Sequence, residues 1–394
     1  MSENPATTLF REYLRIKSVQ PKPDYDGVVK FLTRISKELD LPMQVIELVK
    51  GKPIIVITWK GENPSLPSVL LNSHTDVVPV FPEYWKHDPF SAHKEENGDI
   101  YARGSQDMKC VGIQHIEAVR RLKSSGFKPL RTIHLCFVPD EEIGGIDGVK
   151  KWVDEDSFKQ LNVGLSLDEG LASESSVVPV YYGERAIWWV NVTCLGQPGH
   201  GSQFLPDNAG KKIRHVIDSF MNFRDEEEKR LKSDKNLTLG DVTTVNLTIL
   251  EGGVQQNVVP AQLNAKFDVR ITPHLSHDKV REMIDKWLKE AGEGVSYNFL
   301  QYTPEIKPSE LTGKWYDAVS SSLNESGVPF KPEIFPAATD SRYFRAKGIQ
   351  AYGISYMPET PILLHDHNER LNEAVFLKGI DVFENLVKKV SLVN

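Results

Sequence analysis

Five groups of side chains of the kinds that bind metal ions stand beyond or beside apolar runs. His74 follows the run 68–71, Asp140-Glu141-Glu142 follows 132–138, and Asp168-Glu169 follows 163–167. Asp107 comes just before a helical pattern that begins at Lys109, and His365 lies in a Leu-Leu-His-Asp-His turn after the extended stretch 351–356. Imidazole and carboxylate are both good zinc ligands, and two metals roughly 3.5–4 Å apart need one carboxylate to bridge them. Charge agrees with that count: Asp107, Glu142 and Glu169 cancel three of the four positive charges of two zinc ions, and a hydroxide cancels the last. Glu141 is left over beside a ligand, free to act as a base. Asp76, two residues beyond His74 on the same side of an extended backbone, is placed to accept the second ring N–H of that histidine.

Singly, each of these groups has a plainer explanation. A His-x-Asp is more often a loop hydrogen bond, three acids in a row are more often a solvated turn, and His365 and His367 alone would be surface histidines. What sets them apart is where they fall. Separate strands of an open α/β sheet deliver their carboxyl ends to one crevice, so His, Glu and Glu arrive at a common edge.

The surrounding pattern supplies such a sheet. Helical spacing runs through Leu9, Phe10, Tyr13 and Leu14 and again through Val28, Phe31, Leu32 and Ile35. Short apolar runs at 45–49, 54–59 and 69–71 precede a helix over about 109–122. A strand at 132–138, a helix over about 145–153 and a strand at 163–167 follow. This alternation predicts an α/β fold with a largely parallel sheet and helices on both faces. The texture changes near Gly183. A long extended run at 185–195, a charged amphipathic helix over 207–231 and strict alternation from Ala261 to Ile271 predict an antiparallel sheet with helices on its apolar side. The expected domains are a catalytic one made of 1–182 and 301–394, and an inserted α+β one spanning 183–300.

Composition narrows the class. At 394 residues, 40% hydrophobic and 26% charged, the chain reads as globular and long enough for two cores. A formal net charge of -7 with interspersed signs argues against nucleic acid or anionic membranes as partners. No apolar run is long enough to span a bilayer and no signal core is visible at the amino terminus. Cys110, Cys136 and Cys194 are scattered, odd in number and form no CxxC pair, which suits buried thiols in a reducing compartment. The expectation is cytoplasmic.

The segments Leu-Asn-Ser-His74-Thr-Asp76-Val-Val-Pro, Tyr-Ala-Arg-Gly-Ser-Gln-Asp107-Met-Lys, Val-Pro-Asp-Glu141-Glu142-Ile-Gly-Gly and Leu-Asp-Glu169-Gly resemble those of the M20 metallopeptidases. So do Gln-Pro-Gly-His200-Gly-Ser, Glu-Gly-Gly-Val-Gln-Gln-Asn257-Val-Val-Pro and His365-Asp-His-Asn-Glu369. The blocks run in family order from about residue 8 to 388. The segments Pro-Ala-Ala-Thr339-Asp340-Ser-Arg342-Tyr and Val-Gln-Pro-Lys-Pro-Asp-Tyr25 point within the family to members that hydrolyse N-acyl-L-amino acids. The resemblance implies that His74 and Glu169 hold one zinc, Glu142 and His365 the other, and that Asp107 bridges. It makes Asp76 the residue that orients His74, Glu141 the general base and His200 a donor to the oxyanion. Where the family often has Asp-Asp-Lys this chain has Asp107-Met108-Lys109, a departure that removes no ligand.

A substrate of this kind carries an α-carboxylate beside the scissile amide, which a guanidinium reads with two parallel hydrogen bonds. Arg270 and Arg342 are the candidates, with Asn257 as a neutral partner. Structural ion pairs are the competing explanation, since Asp268 shares a strand face with Arg270 and Asp340 lies near Arg342. Three readings of the whole chain remain: hydrolysis of N-acyl-amino acids with short acyl groups and neutral side chains such as acetyl-Met, a dipeptidase or carboxypeptidase of the same family, and a catalytically silent metabolite-binding relative. The family also implies a homodimer through the inserted domain, with His200 donated to the partner's site.

Overall fold

The computed structural model describes residues 3–394, which divide into two compact units. The first comprises the described residues up to Tyr182 with Ser309–Pro332 and Thr339–Asn394. The second comprises Gly183–Pro308 with Glu333–Ala338. It thus extends past the residue-300 boundary read from the sequence, because the strand Val295–Tyr302 is still paired with Trp188 at its last residue.

The first unit is built on an eight-stranded sheet. Its strands run in the order Met43–Val49, Lys52–Trp59, Ile133–Val138, Ser68–His74, Val163–Asp168, Gln350–Gly353, Val178–Glu184 and Phe330–Phe335. The four strands from Ile133–Val138 to Gln350–Gly353 are mutually parallel. Their apolar residues alternate between two buried layers. Val69, Leu71, Leu135 and Phe137 enter one core with the helices Pro5–Leu14, Lys109–Ser124 and Glu373–Ser391. Leu70, Cys136 and Val138 enter a second with Trp152, Phe158 and Phe344. Burial on both faces explains why these strands read as continuous apolar runs. The three cysteines are buried and unpaired, and among the described residues no helix is long and apolar enough to cross a membrane.

One predicted element is different. In place of a helix over 145–153 there is a single 3-10 turn at Glu141–Ile143 and a four-residue helix at Val149–Trp152. Gly144 and Gly145 take φ of +99° and +64°, a left-handed backbone open to glycine and closed to a continuing helix.

The second unit is an antiparallel sheet ordered Thr244–Gly252, Gln262–Ile271, Ala186–Leu195 and Val295–Tyr302. Ala265, Phe267, Val269 and Ile271 are buried in one core with Ile213, Val216 and Phe220 of the helix Ala209–Ser233 and with Val280 and Ile284 of the helix His277–Ala291. Phe220 stacks on Phe267 with centroids 4.0 Å apart. The strand alternation therefore has its apolar face under the helices, and each helix begins at an Asn208 or Ser276 side chain that accepts a first-turn N–H.

Candidate metal centre and its surroundings

The parallel strands bring the acidic and imidazole groups to one edge. His74 is the last residue of its strand and pairs with Val138, two residues before Asp140. Glu169 directly follows the strand that ends at Asp168. That strand end is fixed by Asp168, whose carboxylate accepts from the Glu169 N–H at 2.9 Å, Asn72 at 3.2 Å and the Ser341 hydroxyl at 2.8 Å. Gly353 lets the neighbouring strand come close, since a Cβ there would lie 2.1 Å from the Glu169 carbonyl oxygen.

Asp107 sits between the two histidines. Its Oδ1 is 2.8 Å from His74 Nε2, and its Oδ2 is 3.2 Å from His365 Nε2. His74 Nε2 is also 3.5 Å from Glu169 Oε2, while His365 Nε2 is 2.9 Å from Glu142 Oε2. Ligand atoms on one tetrahedral zinc stand about 3.3 Å apart, given bonds of 2.0–2.1 Å, so these separations are those of donors converging on shared ions. Glu142 Oε1 is buried with no hydrogen-bond partner, an open acceptor on the carboxylate whose other oxygen contacts His365. A ligand atom of Glu141 likewise lies within 4.8 Å of those of His74 and Glu169. Two imidazoles, bridging geometry at Asp107 and an unsatisfied carboxylate oxygen fit a pair of divalent cations.

Electrostatics express the same crowding. Burial, then the charge of Glu169, holds the Glu141 carboxyl well above the usual carboxylate range. Burial and the charge of Asp107 raise Glu142 to about 7 and lift Glu169 well above its ordinary value. Hydrogen bonds to Asp107 and Glu142 raise His365 to about 10. Burial opposes the charge on His74, but Glu169 and Asp107 outweigh it and raise that pKa too. Burial raises Asp107, yet the two imidazoles overcome it and keep this carboxylate ionised. A cluster in which Glu141, Glu142 and Glu169 resist ionisation while the histidine pKa values are raised is one that cations of higher charge would relieve.

Asp76 does something other than expected. The backbone carbonyl of Asp76, at 2.9 Å, is the group bonded to His74 Nδ1, and the Asp76 carboxylate stands 3.8 Å away. That carboxylate instead accepts the backbone N–H groups of Glu141 at 3.1 Å and Glu142 at 3.3 Å. It orients the turn that carries the candidate base. Arg342 and Tyr343 hold the other end of the same turn: both donate to the Gly144 carbonyl, at 3.0 and 2.6 Å.

Glu369 is a residue whose task the sequence pattern did not disclose. It is buried and paired with Arg103 at 2.7 Å, and it accepts the N–H groups of Gly104, Gln106 and Asp107 at 3.0, 2.6 and 3.2 Å. It thereby ties the His365 segment to the Asp107 loop. His365 itself has φ of +61°, a left-handed conformation that costs on the order of 1 kcal/mol or more and persists only where its surroundings impose it. A small recess beside Asp107 and Glu169 is walled by Leu171, Ala172, Met357 and Leu364.

The remaining candidates belong to the second unit. His200 is exposed, pairs across a short ladder with Val258, and contacts the Ser202 hydroxyl through Nδ1 at 2.8 Å. The Gly201 N–H donates to the Asn257 carbonyl at 2.8 Å, so His200 and Asn257 share one turn cluster. Arg270 is engaged with Asp268 through Nε at 2.6 Å and Nη2 at 3.0 Å, the same-face ion pair that the strand alternation allowed.

The site is a candidate metal centre at the edge of an α/β sheet, and comparison with known proteins gives the lineage. The model of peptidase family M20/M25/M40 matches residues 70–389, and the chain belongs to that family. It is 52% identical over 394 residues to aminoacylase-1 of Mus musculus, covering 100% of this chain and 97% of that one. It is 49% identical over 393 residues to aminoacylase-1 of Homo sapiens (99% and 96% covered) and 45% identical over 401 residues to aminoacylase-1 of Dictyostelium discoideum (98% of each). The fold is shared with the M20 family metallo-carboxypeptidase of Sulfolobus solfataricus, with a TM-score of 0.70 at 20% identity and coverage of 99% and 100%. A dinuclear metal-binding M20 peptidase of Bacillus subtilis aligns with a TM-score of 0.68 at 14% identity, covering 97% of each chain.

Proposed function

We propose that this chain hydrolyses the amide bond of N-acyl-L-amino acids with two zinc ions, releasing a carboxylate and a free amino acid. The observation that carries the chemistry is Asp107 facing both imidazoles while Glu141 stands at the same sheet edge, outside their close pairs. The full-length likeness to aminoacylase-1 from mammals and a slime mould supports the substrate class.

His74, Glu169, Glu142, His365 and Asp107 would hold the ions, which when bound would supply a polarised acyl carbonyl and a water acidified toward neutrality. Glu141 takes the proton of the attacking water and returns it to the departing nitrogen as the C–N bond breaks. The Asp76 carboxylate holds the backbone of this base in place. One of the two candidate guanidiniums, Arg270 or Arg342, would read the substrate's α-carboxylate, with Asn257 as a neutral partner, and His200, donated by the partner in a homodimer, would stabilise the oxyanion.

Turnover of acetyl-Met, acetyl-Asp and an unblocked dipeptide, each with and without chelator, tests the reading. Acetyl-Met should be cleaved best and chelator should abolish its cleavage. A preference for acetyl-Asp or for the dipeptide would overturn it.

A further inference from the structure

The segment before the second helix is drawn into the centre of the first unit. The Gln20 N–H donates to the Val77 carbonyl at 2.9 Å and the Val77 N–H to the Ser18 carbonyl at 2.9 Å, so the chain at Val19 runs as a parallel bridge beside the residues that follow His74. This lays two polar side chains behind the Glu141 turn. The buried Gln20 side-chain amide donates to Asp76 Oδ2 at 2.8 Å and to Asp140 Oδ1 at 3.2 Å. The Tyr25 hydroxyl donates to the same Asp140 Oδ1 at 2.7 Å and accepts the Asp140 backbone N–H at 2.9 Å. Lys52 pairs with the other oxygen, Asp140 Oδ2.

These contacts bear directly on the base. Asp140 has φ of +63°, a left-handed conformation that an L-residue keeps only when held. That residue sets the direction of the peptide plane leading into Glu141, and Tyr25 grips it by both backbone and side chain. Asp76, whose carboxylate accepts the Glu141 and Glu142 N–H groups, would otherwise face Asp140 as a second buried acid. A neutral side-chain amide has two N–H donors and no charge of its own, so Gln20 serves both carboxylates without adding to the negative field around the metals.

We propose that Gln20 and Tyr25 are positioning residues for Glu141: through Asp76 and Asp140 they fix the turn from which the base reaches its proton. This rests on the assignment of Glu141 as general base under the proposed function. It accounts for why Gln20 and Tyr25, distant from every ligand in sequence, are built into the centre.

The test is a pair of double-mutant cycles on kcat and KM. Gln20→Leu removes both donors, and Tyr25→Phe removes one oxygen with little change of shape. Each should lower kcat on the order of 10- to 100-fold, the scale of a hydrogen bond to a charged group, with KM within about twofold and metal content unchanged. In a Glu141→Gln background, the same substitutions should change kcat less than about twofold, because residues acting through one group are not additive. Equal factors in both backgrounds, a rise in KM alone, or loss of metal would overturn the proposal. If Gln20→Leu does not fold, Tyr25→Phe alone decides. Should the native protein prefer a dipeptide to acyl-amino acids, the substrate reading falls and the cycles, run on the dipeptide, still judge the positioning. Should it cleave neither, both fall together.

Discussion

Asp107 presents one carboxylate oxygen to His74, at 2.8 Å, and the other to His365, at 3.2 Å. No other carboxylate in the cluster is in close contact with both imidazoles, so Asp107 links the pair His74 and Glu169 to the pair His365 and Glu142. Asp107→Asn keeps the shape and removes the charge. The substituted protein should bind fewer than two zinc equivalents and lose activity, and the native protein should hold two per chain when fully active. Metal analysis of active enzyme finding a single equivalent would remove the two-ion arrangement.

The proposed function gives the neighbours Glu141 and Glu142 separate tasks. Glu141→Gln should lower the rate by ~10²–10⁴, the range of general base catalysis, with both metals retained. Glu142→Gln should lose metal affinity as well, because its Oε2 contacts His365 and its Oε1 is an unsatisfied buried acceptor. Near-native turnover by metal-loaded Glu141→Gln would move the proton transfer to another group.

Two histidines outside this cluster predict how stability responds to acid. Burial lowers the pKa of His115 from 6.5 to about 3 and that of His134 to about 4. Folded-state values below the unfolded one mean that the unfolded chain binds protons first as pH falls. Their contribution to stability is therefore present above about pH 6.5 and is lost between there and pH 4 to 3, with a limiting slope of about 1.4 kcal/mol per pH unit for each residue. Both ring nitrogens of His115 are buried without partners, so His115→Leu should leave stability at pH 7 little changed or improved. Denaturant melts from pH 7 to 4 should show a shallower acid limb for His115→Leu than for the native protein. Parallel limbs would mean that His115 is already protonated in the fold.

The convergence of the cluster's side chains was legible in the sequence because a parallel strand buried on both faces is an uninterrupted apolar run, and a polar residue at its end is conspicuous. His74, Glu142 and Glu169 all stand in that setting. The roles of Asp76 and Glu369 were not, because both carboxylates spend themselves on backbone N–H groups, which every residue offers and no pattern distinguishes. Spacing along an extended chain points the Asp76 carboxylate to the His74 ring. The chain turns after His74, so the backbone carbonyl reaches the ring and the carboxylate reaches the Glu141 turn. The helix expected over 145–153 failed for a related reason: its apolar spacing was real, but Gly144 and Gly145 bend the backbone into left-handed φ before the pattern begins.

Assembly gives the last prediction. His200 is exposed on the second unit, in a turn cluster shared with Asn257, and its ring makes its hydrogen bond to Ser202 of its own turn. The strand Thr244–Gly252 is an edge of that unit's sheet, with Ile249 and Leu250 exposed along it. An uncovered apolar edge is a template for pairing, and two copies related by a two-fold axis present the same edge to each other. In a homodimer of that kind each chain would lend its His200 to the partner's metal centre. Glu141→Gln chains lack the base and His200→Ala chains lack the donated histidine, so either alone should be nearly inactive. Mixed under conditions where subunits demonstrably exchange, they should recover activity, because a heterodimer holds one site with an intact base and the partner's histidine. Heterodimers that exchange and stay as inactive as their parents would confine His200 to its own chain.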